Sequence, residues 1–250
     1  MAPPPRNRRH VRGPVRPDLR SPEGRIPAVM PPAKVAASIL AADFARLGEQ
    51  VKAVEKWADM IHVDMMDAHF VPPLTIGPVV VESLRPVTEL PMNAHLMVER
   101  PQDLLEPLVG AGTDQVTFHA EAAADAPRLL ARIREHGLRA GLAMNPETPV
   151  DAVFPHLDGL DNVIVMTLAK TGWAGQPFQE SSLPKVESVR GEIERRGLSV
   201  DVEVDGGINE ESGRRCVAAG ATVLAAASSV FRAGDPAEAA RRLSEIARGE

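Results

Sequence analysis

Ser38-Ile39-Leu40-Ala41-Ala42-Asp43 closes the first β-prone run, Val35–Leu40, and separates two folds. A doubly wound dinucleotide-binding sheet needs a Gly-rich turn there, so that backbone can approach a pyrophosphate. This turn has no glycine. Asp43 instead suits a helix N-cap, and Phe44, Leu47, Val51 and Val54 recur at helical spacing, which predicts a helix from Asp43 to Trp57. The same strand-then-helix unit repeats outward along the chain.

The second strand-like run is Asp59–Met66, with a helix near Gly77–Arg85. The third is Met92–Met97, followed by Pro101–Ala111, where proline opens a helix. Gln115–Ala120 precedes Ala124–His136, which stops at Gly137. Arg139–Met144 precedes a short helix from Pro149, and Asn162–Leu168 precedes Ser182–Arg196. Ser199–Asp205 precedes Glu210–Ala219, and Thr222–Ala227 precedes Asp235–Ala247. This alternation makes an α/β chain whose expected fold is a single (β/α)₈ barrel over 34–250.

Composition excludes several alternatives. The 250 residues are 44% hydrophobic and 25% charged, an ordinary globular balance. Lone Cys216 excludes a disulfide framework and a Cys-rich zinc module. No apolar run is long enough to span a bilayer and no secretory signal opens the chain, so a membrane partner is not expected and a reducing, cytoplasmic setting is. The formal net charge is −6, but residues 1–33 carry seven Arg against Asp18 and Glu23, leaving −11 on the remainder. An acidic body argues against a nucleic-acid partner. The Pro- and Arg-rich 1–33 segment reads as a disordered extension, with Met30 as an alternative start.

Catalytic groups of such a barrel stand at the C-terminal strand ends. His62 and Asp64 are two apart on the second strand and share a face. His95 lies near the end of the third strand and Asp205 ends the seventh. Two His and two Asp suit zinc or another divalent first-row metal. One His-x-Asp pair is weak evidence, since an internal hydrogen bond explains it equally well; four such groups on one barrel rim are stronger. Ser38 could meet a sugar hydroxyl or simply fill core. Asp67 and His69 read as loop structure, and His119 as a donor behind the ligands. Met66, Met97, Met144 and Met166 also fall near strand ends, as core filler or as an apolar cover.

Three loops carry a phosphate signal: Asp205-Gly206-Gly207-Ile208, Ala227-Ser228-Ser229, and Gly172-Trp173-Ala174-Gly175-Gln176 as a lid.

Four ordered segments together resemble ribulose-phosphate 3-epimerase. They are Ser38–Phe44, His62–Pro72, His95-Leu96-Met97-Val98 and Glu203–Asn209. The likeness runs from about Val35 to Ala247. It implies a metal-dependent inversion of C3 in D-ribulose 5-phosphate to give D-xylulose 5-phosphate. It implies one divalent ion per subunit, zinc first and iron, manganese or cobalt as alternatives, held by His62, Asp64, His95 and Asp205. Asp64 and Asp205 would be the acid/base pair. Ser38, His95, Gly172, Trp173, Ala174, Gly175, Asp205, Gly206, Gly207, Ala227 and Ser228 would contact the phosphosugar. The family often assembles as dimers or hexamers, so a homo-oligomer is expected.

The chemistry fits these residue types. A Lewis acid at the C2 ketone stabilises an enediolate, and inversion needs one carboxylate on each face of that plane. Departures from the family pattern are Ala37, Ala68, Pro73, Asn93, the lid Ala169–Gln176 and Ala227. They bear on substrate fit and phosphate affinity, because all four ligands are kept. The alternatives are an epimerase of another ketose phosphate and a non-catalytic metal-binding paralogue.

Overall fold

The computed structural model describes residues 32–250. Eight parallel strands close a barrel in chain order: β1 Lys34–Ser38, β2 Met60–Met66, β3 Met92–Met97, β4 Gln115–His119, β5 Arg139–Met144, β6 Asn162–Met166, β7 Asp201–Asp205 and β8 Val223–Ala226. β8 returns to β1 in the register Val35↔Leu224 and Ala37↔Ala226. Helices α1 Leu47–Val54, α2 Pro78–Leu84, α3 Leu105–Ala111, α4 Ala126–Glu135, α5 Leu183–Arg196, α6 Glu210–Ala218, α7 Ser228–Phe231 and α8 Pro236–Arg248 complete the fold.

The outward faces of the strands are apolar because helices cover them. Outward residues such as Val35, Ile61, Val63, Leu96, Phe118 and Val204 pack beneath the helices in the main core. Alternate residues point inward, and Ala36, Met60, Val223 and Ala225 pack inside the barrel as a separate cluster. Other inward side chains are polar: His62, Asn93, Thr117, Asn162 and Glu203 are all buried.

Several expectations need correction. The helix expected from Pro149 is two 3₁₀ turns, Val150–Ala152 and Phe154–Gly159. Pro155 lacks the N–H that an α-helix through this segment would need. The helix expected over Asp43–Trp57 begins as a 3₁₀ turn, Phe44–Arg46, before α1; Asp43 does cap it, accepting from the Ala45 N–H at 3.0 Å. Pro101–Asp103 is likewise 3₁₀ and precedes α3. β1 ends at Ser38 rather than Leu40, because its side chain turns to cap the turn Ile39–Ala41. The short α7 was not expected at all.

The expectation for 1–33 lies outside the described residues except at Pro32 and Ala33. Ala33 is buried, and its N–H meets the Ala247 carbonyl at 2.8 Å, tying the barrel's first residues to α8. Among the described residues no helix is long and apolar enough to cross a membrane.

Candidate metal centre and substrate cavity

β2 turns His62 and Asp64 inward, one residue pair apart, and the register Asp64↔His95 sets β3 beside them. β7 brings Asp205 to the same point. His62 Nε2 is 3.2 Å from Asp64 Oδ1 and 3.2 Å from His95 Nδ1. His95 Nδ1 is 3.1 Å from Asp64 Oδ1. Asp205 Oδ2 is 3.4 Å from His95 Nδ1 and 3.7 Å from His62 Nε2. All four expected ligands therefore converge.

These separations suit a cation. Tetrahedral bonds of about 2.0–2.1 Å place ligand atoms about 3.3–3.4 Å apart. The cluster's donor atoms all fall within 4.8 Å of one another. His62 Nδ1 stands 2.8 Å from Glu203 Oε1, so Nδ1–H donates to that carboxylate and Nε2 faces the cluster, where a bound cation would take the place of its proton. His95 Nε2 stands 3.0 Å from His119 Nε2, which leaves Nδ1 free to ligate.

The charges also call for a cation. Asp64, Asp205 and Glu203 surround two histidines, and no Lys or Arg pairs with Asp64 or Asp205 among the described residues. Burial opposes the charge of His62, but Asp64 and Glu203 hold it well above the ordinary histidine range. Burial likewise opposes ionisation of Asp64, yet His62 and His95 hold it far below the carboxylate range. Asp205 moves the other way: burial and the Asp64 charge push it up. A bound cation would take over the role of the histidine protons.

The cluster opens into a cavity of about 440 Å³, counting its space open to solvent. Ser38, Gly172, Trp173, Ala174, Gly175, Gly206, Gly207, Ala227 and Ser228 all line it with Asp64 and Asp205. Fully buried His95 stands one layer behind, with its neighbours in the cluster. Ser38 Oγ donates to Asp64 Oδ2 at 2.6 Å, so it orients that carboxylate while facing the cavity.

Gly206 and Gly207 have φ of 121° and 69°, and a Cβ on Gly207 would sit 2.4 Å from the Phe178 nitrogen. Only glycine fits that crossing. Ala227 has φ −105°, so alanine at this rim position carries no left-handed strain. Ala68 does, at φ 62°, in the turn where Asp67 accepts from the His69, Phe70 and Glu99 N–H groups. Asp67 is thus loop structure. Lys170 is exposed, and its carbonyl accepts from Gln176 Nε2 within the lid.

The Ribulose-phosphate 3 epimerase family profile matches residues 34–231. The chain belongs to the ribulose-phosphate 3-epimerase family. It is 45% identical over 215 residues to the Ribulose-phosphate 3-epimerase of Bacillus subtilis, covering 85% of this chain and 97% of that one. It is 44% identical over 208 residues to the chloroplastic Ribulose-5-phosphate-3-epimerase of Arabidopsis thaliana, covering 82% of this chain and 74% of that protein. A solved structure of 3-hexulose-6-phosphate synthase from Salmonella typhimurium superposes with a TM-score of 0.69 at 20% identity, covering 86% and 98% of the two chains; it shares the fold. The chain is an enzyme of the ribulose-phosphate 3-epimerase type.

Sequence reasoning missed several groups of this epimerase. Glu203 is fully buried and accepts from His62, from Asn93 Nδ2 at 3.1 Å and from Asn162 Nδ2 at 2.6 Å. Its signal was present, since it precedes Asp205 by two on one strand and so shares its face. Glu121 closes on His119 from outside the strands, with no periodicity to mark it. Met66, Met97 and Met166 form the apolar wall of the cavity, whereas Met144 is in the main core.

Proposed function

We propose that this epimerase inverts C3 of D-ribulose 5-phosphate to give D-xylulose 5-phosphate, using a divalent metal held by His62, Asp64, His95 and Asp205. The observation that carries the reading is the convergence of two histidine nitrogens and two carboxylates, all within 4.8 Å of one another, beneath a cavity that Asp64 and Asp205 line. Two nitrogens and two oxygens suit zinc, with iron, manganese or cobalt as alternatives. When bound, the ion supplies a Lewis acid for the C2 ketone oxygen.

The protein's own groups do the proton work. Asp64 and Asp205 come from β2 and β7 and flank the cavity floor. One carboxylate takes the C3 proton and the other returns a proton to the opposite face of the planar enediolate. Without a bound ion the pKa values of the two carboxylates are held apart, Asp64 down beside His62 and His95 and Asp205 up through burial and the Asp64 charge. Ser38 holds the Asp64 carboxylate in place through Oδ2. Met66, Met97 and Met166 keep water from the carbanionic face.

The phosphate would sit at Gly206-Gly207 and Ala227-Ser228, where loops after β7 and β8 meet the start of α7. Arg232 adds a cation nearby, its Nη1 3.7 Å from where a Gly175 Cβ would be. Gly172–Gly175 would cover the sugar.

Solvent-deuterium wash-in tests this reading. Zinc-loaded protein is mixed with ribulose 5-phosphate in D₂O and followed by NMR. Deuterium at C3 together with xylulose 5-phosphate is the expected result. Exchange without epimer removes one carboxylate from its assigned role. Neither, in folded zinc-loaded protein, overturns the substrate assignment. The altered lid favours a second ketose phosphate as the alternative substrate. Equal or better turnover of a hexulose phosphate in the same assay would establish that reading instead.

A further inference from the structure

A chain of hydrogen bonds leaves the candidate metal centre and ends in the lid. His95 Nε2 meets His119 Nε2 at 3.0 Å, and His119 Nδ1 meets Glu121 Oε2 at 3.3 Å. The other oxygen of Glu121 accepts from the Asn145 N–H at 2.8 Å and from the Thr148 hydroxyl. Asn145 Oδ1 then accepts from Thr171 Oγ1 at 2.6 Å. Thr171 immediately precedes the cavity-lining lid residues Gly172–Gly175. The chain is held on a stiff support, because Lys185 Nζ on α5 donates to the carbonyls of Asn145, Pro146 and Thr148 at 3.1, 2.7 and 2.6 Å.

The chain has a direction. Ionised Glu121 can only accept, so His119 donates from Nδ1. His119 Nε2 is then the acceptor, and His95 donates from Nε2. With a cation bound, His95 Nδ1 would then present its lone pair toward the point it shares with Asp64, His62 and Asp205. Glu121 therefore selects the histidine tautomer that can bind a metal, from outside the metal site. Its second oxygen, acting through Asn145, sets where the lid begins.

We propose that Glu121, His119, Asn145 and Thr171 are positioning residues that fix the metal-binding tautomer of His95 and couple metal occupancy to the lid. This rests on the metal-centre reading above. Coupling of this kind is reciprocal, so a metal that orders His95 also orders the lid.

The test uses full-length protein carrying Trp57→Phe, so that lid residue Trp173, 51% exposed, is the only remaining indole. Zinc affinity is measured against a competing chelator and Trp173 emission is followed in the same titration. Glu121→Gln places an amide N–H₂ against His119 Nδ1, which reverses the donors at His119 and His95 while the amide oxygen still accepts from Asn145 and Thr148. Zinc affinity should fall about 10- to 100-fold, and ¹⁵N shifts should show the opposite His119 tautomer. Thr171→Val cuts the lid end only. It should leave zinc affinity within about threefold and abolish the zinc-induced change in Trp173 emission, while Thr171→Ser should retain that change. If Glu121→Gln does not fold, the Thr171 pair carries the test.

Zinc binding undiminished in Glu121→Gln, or a Trp173 response as large in Thr171→Val as in the parent, overturns the coupling alone. A parent that binds zinc with no Trp173 response does the same. A parent that binds no zinc overturns the metal centre, and the coupling with it.

Discussion

β7 carries an aspartate at each end, and the two have opposite surroundings. Asp201, at the N-terminal end, is clamped by Lys34 Nζ at 2.9 Å and Arg139 Nη2 at 2.8 Å, with the Thr222 hydroxyl at 3.3 Å. Burial works against its charge, but the two cations hold its carboxyl below the ordinary range. Asp205, at the C-terminal end, has two histidines and another carboxylate for neighbours, and burial with that negative charge pushes it up. One residue type on one strand thus serves as a staple at the bottom of the barrel and, at the top, joins the His and Asp cluster to which the proposed function assigns the proton chemistry. The difference is whether the fold supplies a compensating cation. Where it does, the carboxylate contributes stability; where it does not, the cluster could hold a metal ion in place of the missing cation.

The largest expected effect separates the two ends by rate. Asp205→Asn should lower kcat/KM by about 10³-fold or more, as loss of an acid/base group does, with far-UV circular dichroism unchanged. Asp201→Asn should leave turnover per folded molecule within about threefold. A comparable loss in both variants would break the comparison.

Zinc should act on the upper end only. At about 100 times its Kd, a ligand that binds the native state alone stabilises it by about 2.7 kcal/mol. Urea unfolding with and without zinc should show a gain of that order in wild type and in Asp201→Asn, and a much smaller gain in Asp205→Asn.

The lower end should show itself in stability and its pH dependence. Asp201→Asn should cost about 2 kcal/mol, since its partners are partly exposed and solvent screens them. The folded carboxyl of Asp201 is depressed, so its contribution is fully present above the unfolded value of about 4 and is lost as pH falls through the lower folded value. The stability gap between wild type and variant should therefore be constant from about pH 7 to 5 and shrink below about pH 4.

The smallest effect probes strain beside the reactive end. Ala68 holds φ 62° in the turn after β2. Ala68→Gly should raise stability by about 0.5–1 kcal/mol, read as a rise in the urea midpoint. No gain would mean that this turn is relaxed by other contacts.

The eightfold alternation was legible because strand and helix impose different periods on apolar residues, and because Gly and Pro punctuate them. The candidate ligands were legible for a related reason: His62, Asp64, His95 and Asp205 stand at or near inward-facing strand ends, where a polar residue is out of place in a core. Glu203 shares that face but sits one layer lower, so attention to the rim passed over it. Glu121 was not legible at all. It lies in a 3₁₀ turn, and its partners Asn145 and Thr148 arrive from a loop 24 and 27 residues away. The α7 turn and the φ of Ala227 escaped for a similar reason, since four residues are too few to show a period.

The sequence by itself determined the barrel, the order of its strands, the family and the convergence of His62, Asp64, His95 and Asp205. Local periodicity and residue chemistry are properties of neighbouring positions and survive without coordinates. Only the tertiary structure decided which histidine nitrogen faces the cluster, which aspartate is held down and which is pushed up, and that a lid threonine is joined to a metal ligand. Those depend on distances of about 3 Å between groups far apart in the chain, where hydrogen bonds form and charges are felt at full strength.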